Sequence, residues 1–142
     1  MTELTREQIL AALQGWGTYV ERFYRLSPEA QAAFLEKQGY ARLADLLGHV
    51  IAWWEDGQRI IERRLDDPDF PSPDYDVDSF NAQAVERFRG INEPTIIQSF
   101  DRTRAAWLNL VNRLPDEAFR HQKIAGRLHI ELIGHLEEHE IS

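Results

Sequence analysis

The chain contains no cysteine. Disulfides, thiolate metal ligands and a cysteine nucleophile are therefore excluded. No apolar run is long enough to span a bilayer, and no apolar stretch follows a basic start, so a secretory leader is not expected. Positive charge is scarce: 16 Lys and Arg face 24 Asp and Glu, for a formal net charge of −8. Such a surface repels polyanions, so neither nucleic acid nor an anionic membrane is expected as a partner. A cytoplasmic protein is the default expectation.

Apolar residues are not short. They make up 43% of the 142 residues, with Trp 4 and Phe 7. That suits a single compact domain over residues 1–142. The periodicity is helical nearly throughout, and no segment reads convincingly as a strand. After Thr5, a plausible N-cap, Ile9, Leu13, Trp16, Val20 and Phe23 recur at steps of three and four. This first helix is expected to end near Leu26, with Gly15 and Gly17 suggesting a close neighbour. Ser27-Pro28-Glu29 opens a short helical segment to about Leu35. A second long helix is expected from about Ala41 to Leu65, its apolar arc set by Leu43, Leu46, Leu47, Val50, Trp54, Gly57 and Ile61. Arg59, Arg63 and Arg64 gather at its C-terminal end, where the helix dipole favours cations.

Residues 66–79, DDPDFPSPDYDVDS, hold three prolines and six aspartates. No regular element is expected there. The length suits a crossover between helices that do not form a simple hairpin, and a lid over a site is the second reading. A third helical region is expected from Ser79 to Leu114, broken at Asn92-Glu93-Pro94. Ile97, Phe100, Thr103, Trp107, Leu110 and Leu114 stripe its second half. A final helix is expected from Arg127 to Glu140. The fold class is thus all-α, a four-helix bundle with a long crossover loop between helices two and three.

Histidine carries the chemistry. His135 and His139 lie one helical turn apart, about 40° around the axis, so they point the same way. They continue the stripe Leu128, Leu132, with Glu131 and Glu138 flanking it. Buried imidazoles need hydrogen bonds or a metal. The residues leave both accounts open. The string HLEEH also fits an inverted zinc-protease motif, but such enzymes draw a further acidic ligand from well downstream, and protease activity is not expected. A third ligand would come from upstream. His129 faces away, and His121 would need a sharp chain reversal. His49 sits at the edge of the second helix's apolar arc, where Asp45 or Asp56 could orient its ring. Trp16, Trp53, Trp54 and Trp107 read mostly as core.

LLGHVIAWW on the second helix, GHLEEH on the last and DVDSFNAQAV after the acidic loop together resemble the DinB/YfiT-like superfamily, over essentially the whole chain. That resemblance implies a four-helix bundle and a metal held by three histidines, matched here by His49, His135 and His139. It also implies transfer of a low-molecular-weight thiol to a small electrophile in some relatives. The chain runs only three residues past His139, which is expected to loosen that ligand. Three neutral imidazoles suit Zn, Ni or Fe and leave open positions on the ion. With no cysteine, any thiol is a small-molecule cosubstrate. Glu138 is the candidate catalytic general base.

Three readings follow. The first is a metal-dependent enzyme, a thiol S-transferase-like transferase or a hydrolase. The second is a non-catalytic bundle of stress response that binds a small molecule or metal. The third is a structural homodimer through an exposed apolar helix face.

Overall fold

A computed structural model describes residues 3–141 of the chain. Its described residues form helices and no strand. The order is α1 (Arg6–Gly17), α2 (Tyr19–Tyr24), α3 (Pro28–Gln38), α4 (Leu43–Asp66), α5 (Val77–Phe88), α6 (Glu93–Arg113), α7 (Gln122–Leu128) and α8 (His135–Glu138). A 3₁₀ turn, Asp116–Arg120, precedes α7, and a π-helical stretch, His129–Gly134, joins α7 to α8. Among the described residues no helix is long and apolar enough to cross a membrane.

Local chemistry explains most boundaries. The Thr5 hydroxyl accepts from the Gln8 N–H while the Gln8 side chain accepts from the Thr5 N–H, a reciprocal cap that starts α1. Ser27, Asp76 and Asn92 each cap the helix that follows by accepting a backbone N–H three residues on. Pro28 and Pro94 then sit in first turns, where a missing N–H costs nothing. Gly39, at φ +84°, ends α3 in the left-handed conformation.

Three sequence expectations are corrected. The first helix does not run unbroken to Leu26, since it breaks at Thr18 and re-phases so that Tyr19 is buried while Val20 is only partly so. The irregular segment is shorter than residues 66–79, because the Asp76 cap draws 77–79 into α5. The final helix starts earlier, at Gln122, and is interrupted by the π-helical stretch. Gly17 does have its close neighbour: the Arg104 side chain lies across it and donates from Nε to the Leu13 carbonyl at 2.7 Å.

One apolar core joins the long helices. Leu13 and Trp16 from α1, Leu47 and Trp54 from α4, Phe100 and Trp107 from α6, and Leu128 and Leu132 from the final run are all buried in it. α4 packs on α5, α6 and α7, and α1 packs on α6 and the π-helical stretch. Trp54 stacks on Phe100 with ring centres 5.3 Å apart and meets Trp16 edge-on at 5.1 Å. Two indole N–H groups reach into the π-helical stretch: Trp16 donates to the Leu132 carbonyl at 3.0 Å and Trp54 to the Glu131 carbonyl at 2.9 Å.

The segment between α4 and α5 is held down rather than loose. Arg64, only 3% exposed, donates to the Phe70 carbonyl, the Ser72 hydroxyl and the Lys123 carbonyl. It serves as a peg for this segment, not as a surface cation at a helix end. Phe100→Ala empties a site between two tryptophans and is expected to cost about 3–5 kcal/mol in urea unfolding. Val85→Ala, at an exposed position, is expected to stay within about 0.5 kcal/mol of the parent.

Candidate functional site

Three of the five histidines converge. His49 lies in the second turn of α4, His135 opens α8 and His139 caps its end. Their ring centres are 5.7 Å apart for His49–His135, 5.4 Å for His49–His139 and 5.8 Å for His135–His139. An ordinary α-turn links the last two, since the His139 N–H donates to the His135 carbonyl at 2.9 Å. His129 points to solvent, as its phase predicts. His121 stands before α7, at the opposite end of the final helical run from His135.

His139 is not loosely held, contrary to the expectation from its place near the chain end. The Tyr19 hydroxyl donates to its carbonyl at 2.6 Å, and its ring Nδ1 lies 2.8 Å from Gln38 Oε1. Side chains from α2 and α3 replace the helix that does not continue. Neither Asp45 nor Asp56 orients His49. Asp45 pairs with Arg42 at the start of α4, and Asp56 is bonded to Arg59, Arg127 and Tyr75. The Tyr40 ring, 5.9 Å away, is the aromatic neighbour of His49.

All three rings are neutral near pH 7. Burial pushes His49 down to about 4, the neighbouring His139 adding to the effect and Glu138 opposing it. Burial, with His139 and His49 beside it, pushes His135 down to about 3. Burial alone takes His139 to about 4. A neutral imidazole carries one lone pair and can ligate a metal. Nδ1 of His49, Nδ1 of His135 and Nε2 of His139 are shielded from solvent and have no hydrogen-bond partner. Such orphan atoms are costly unless something completes them.

The donor set therefore fits a three-histidine site in kind, protonation state and burial. It is slightly open. An ion with Zn–N bonds near 2 Å and tetrahedral angles would want ring centres about 5 Å apart. Among the described residues, no group of three or more His, Cys, Asp or Glu is already drawn in close enough to hold an ion.

His49 and His135 line a cavity of about 390 Å³, open at one side. Trp53, Tyr75, Val77 and Ile130 form its apolar walls, while Asn81, Arg127, Glu131 and Glu138 supply polar groups. Trp53 is thus the exception among the tryptophans, the other three being core. Its indole stacks on Phe80 at 4.0 Å and donates to Asn81 Oδ1 at 2.8 Å. The candidate base Glu138 stands exposed at the rim. Ser72 and Tyr75 bring the acidic segment to the cavity as a wall.

The main residue that sequence reasoning missed is Glu131. It is 1% exposed, and its Oε2 accepts from Arg127 Nε at 2.7 Å. Arg127 in turn donates to Asp56 at 3.0 Å and to the Tyr75 hydroxyl at 2.9 Å. Burial pushes the Glu131 carboxyl up, and Arg127 pulls it back. Its Oε1 lies 3.3 Å from His135 Nδ1, without the alignment of a hydrogen bond. Gly57 makes room for it, since a Cβ there would sit 2.9 Å from Glu131 Cγ. The signal was in the sequence: Gly57 on the apolar arc of a long helix, and Arg127 four residues before Glu131.

Compared with known proteins, the chain matches no protein-family model, no curated protein and no solved structure.

Burial of neutral histidine has a sign for stability. Unfolded His49 titrates near 6.5 and folded His49 near 4. Between those values the unfolded chain binds the extra proton, so the contribution is present above about 6.5 and is lost as pH falls toward 4. His49→Gln removes that term. The penalty of the substitution in urea unfolding is expected to be smaller at pH 5 than at pH 7.5, by on the order of 1 kcal/mol. An equal penalty at both pH values would show that His49 is not held neutral.

Proposed function

We propose that this chain is a metal-dependent enzyme whose ion is held by His49, His135 and His139. It would transfer a low-molecular-weight thiol to a small electrophile bound in the adjoining cavity. One observation carries the reading: three neutral imidazoles, one buried and two half-buried, converge with ring centres 5.4–5.8 Å apart beside an open cavity. The resemblance of the histidine motifs to the DinB/YfiT-like superfamily supports it. On the same reading the all-helical fold is a four-helix bundle, with α1, α4, α6 and the final run as its staves and residues 67–76 as the long crossover.

A divalent ion on three imidazoles keeps positions open and would lower the pKa of a thiol or water brought to it. The rest falls to the chain's own groups. Glu138, at the rim beside the histidines, accepts the proton released there. Trp53, Val77 and Ile130 receive the apolar part of the electrophile. The Arg127–Glu131–Asp56 cluster keeps the wall behind His135 rigid. The absence of cysteine requires the thiol to arrive as a cosubstrate.

The second reading is a non-catalytic bundle that binds a small molecule or metal, favoured by ring centres 5.4–5.8 Å apart, slightly wider than a tight three-nitrogen site. It predicts tight ligand binding without turnover. A homodimer is the third. Two of the exposed large apolar residues, Val77 and Ile130, rim the cavity, which ties apolar surface to ligand capture more than to a second copy.

Metal content by mass spectrometry on untagged protein tests the first reading. About one transition-metal ion per chain is expected, lost in His49→Ala and in His139→Ala and retained in Glu138→Gln. Wild-type protein that takes up neither zinc nor nickel on reconstitution would overturn it.

A further inference from the structure

A neutral imidazole exists in two tautomers. The hydrogen bond made by one ring nitrogen decides which nitrogen is left with the lone pair. At His139 that bond comes from Gln38, the last residue of α3. α3 buries no residue of its own in the core, yet its end is fixed. Phe34 and Leu35 pack against the core, and Gly39 closes the helix with its N–H bonded to the Leu35 and Glu36 carbonyls. What this strut presents at its tip is the Gln38 amide.

Two contacts settle which way the amide faces. Gln38 Nε2 lies 3.3 Å from the Glu138 backbone carbonyl, and Gln38 Oε1 lies 2.8 Å from His139 Nδ1. A backbone carbonyl only accepts, so the NH₂ end of the amide must face Glu138. The amide oxygen then faces the imidazole, and it too only accepts. Nδ1 must therefore carry the ring proton. The lone pair is left on Nε2, the nitrogen that is shielded from solvent and has no partner. Flipping the amide would set oxygen against oxygen at Glu138.

We infer that Gln38 is a positioning residue for His139: it fixes the Nδ1–H tautomer and leaves the buried Nε2 as the donor to a metal ion. The role toward the ion rests on the three-histidine reading above. The tautomer rests on the hydrogen bonds alone. Gln38 is only partly buried, so its replacement leaves the core intact.

The test uses the full chain, stripped of metal and labelled with ¹⁵N-histidine, with long-range ¹H–¹⁵N correlation spectra at pH 7.5. Zinc affinity is then read by competition with a chromophoric chelator. Wild type is expected to show His139 as the Nδ1–H tautomer. Gln38→Leu is expected to lose that preference and to bind zinc 10- to 100-fold more weakly. Gln38→Glu, which keeps an acceptor, is expected to retain the tautomer and to bind more tightly than Gln38→Leu. A wild-type His139 protonated on Nε2 would overturn the inference whatever the metal result. So would a Gln38→Leu variant with unchanged tautomer and unchanged zinc affinity. If wild type binds neither zinc nor nickel, the three-histidine reading fails and takes the role toward the ion with it, while the spectra still decide the tautomer.

Discussion

The site depends on two indole N–H groups. Trp16 and Trp54, from α1 and α4, donate to the carbonyls of Leu132 and Glu131 in the π-helical stretch. A π turn is an unfavourable local choice and needs outside support. Here the support comes from two of the largest fully buried side chains among the described residues. Each bond is worth only about 0.5–1.5 kcal/mol net, but losing one would leave a buried N–H unpaired at about 1–3 kcal/mol. The indoles therefore brace this stretch from α1 and α4. Residues 135–141, His135 and His139 included, take their phase from the braced stretch.

The same wide turn brings Glu131 inward with Leu132, and an acid inside a core must be answered. Arg127 answers it one turn earlier, and Asp56 and Tyr75 complete the guanidinium's bonds from α4 and the acidic segment. A buried ion cluster contributes little to stability once desolvation is counted, but breaking one member strands the rest. Its effect here is specificity. It locks α4, the acidic segment and the final helical run in one register, and that register sets His49 opposite His135. The histidines beside it respond to the same low dielectric by staying neutral.

The helical character of the chain and its inward histidines were legible because both follow from period 3.6. Leu46, Leu47, Val50 and Trp54 mark a buried arc on α4, and His49 at its edge lands at the rim of the core. His129 is exposed, as its helical phase requires. The π-helical stretch was not legible, because HIELIG has no residue that announces it. The side chains that brace it are two tryptophans far away in sequence. Assuming a regular helix placed Glu131 on the flank. Gln38 was invisible for a related reason: its contact with His139 crosses 101 residues, and nothing local distinguishes it from any polar residue near a helix end.

Charge in the cavity narrows the proposed chemistry. Arg127 is the only cation among its lining residues, and its guanidinium is already committed to Glu131, Asp56 and Tyr75. Glu138 at the rim adds a negative group. A thiol cosubstrate bearing carboxylates or phosphates would find no uncommitted cation on these walls. Such groups would have to stay in solvent outside the cavity mouth, with only the sulfur and its carbon chain entering past Val77 and Ile130. On the proposed reading, then, affinity for the thiol comes from the ion and from apolar contact, not from recognition of acidic groups by the protein. A small thiol of low charge fits the cavity better than a large anionic one, and the electrophile beside Trp53 is held to the same constraint.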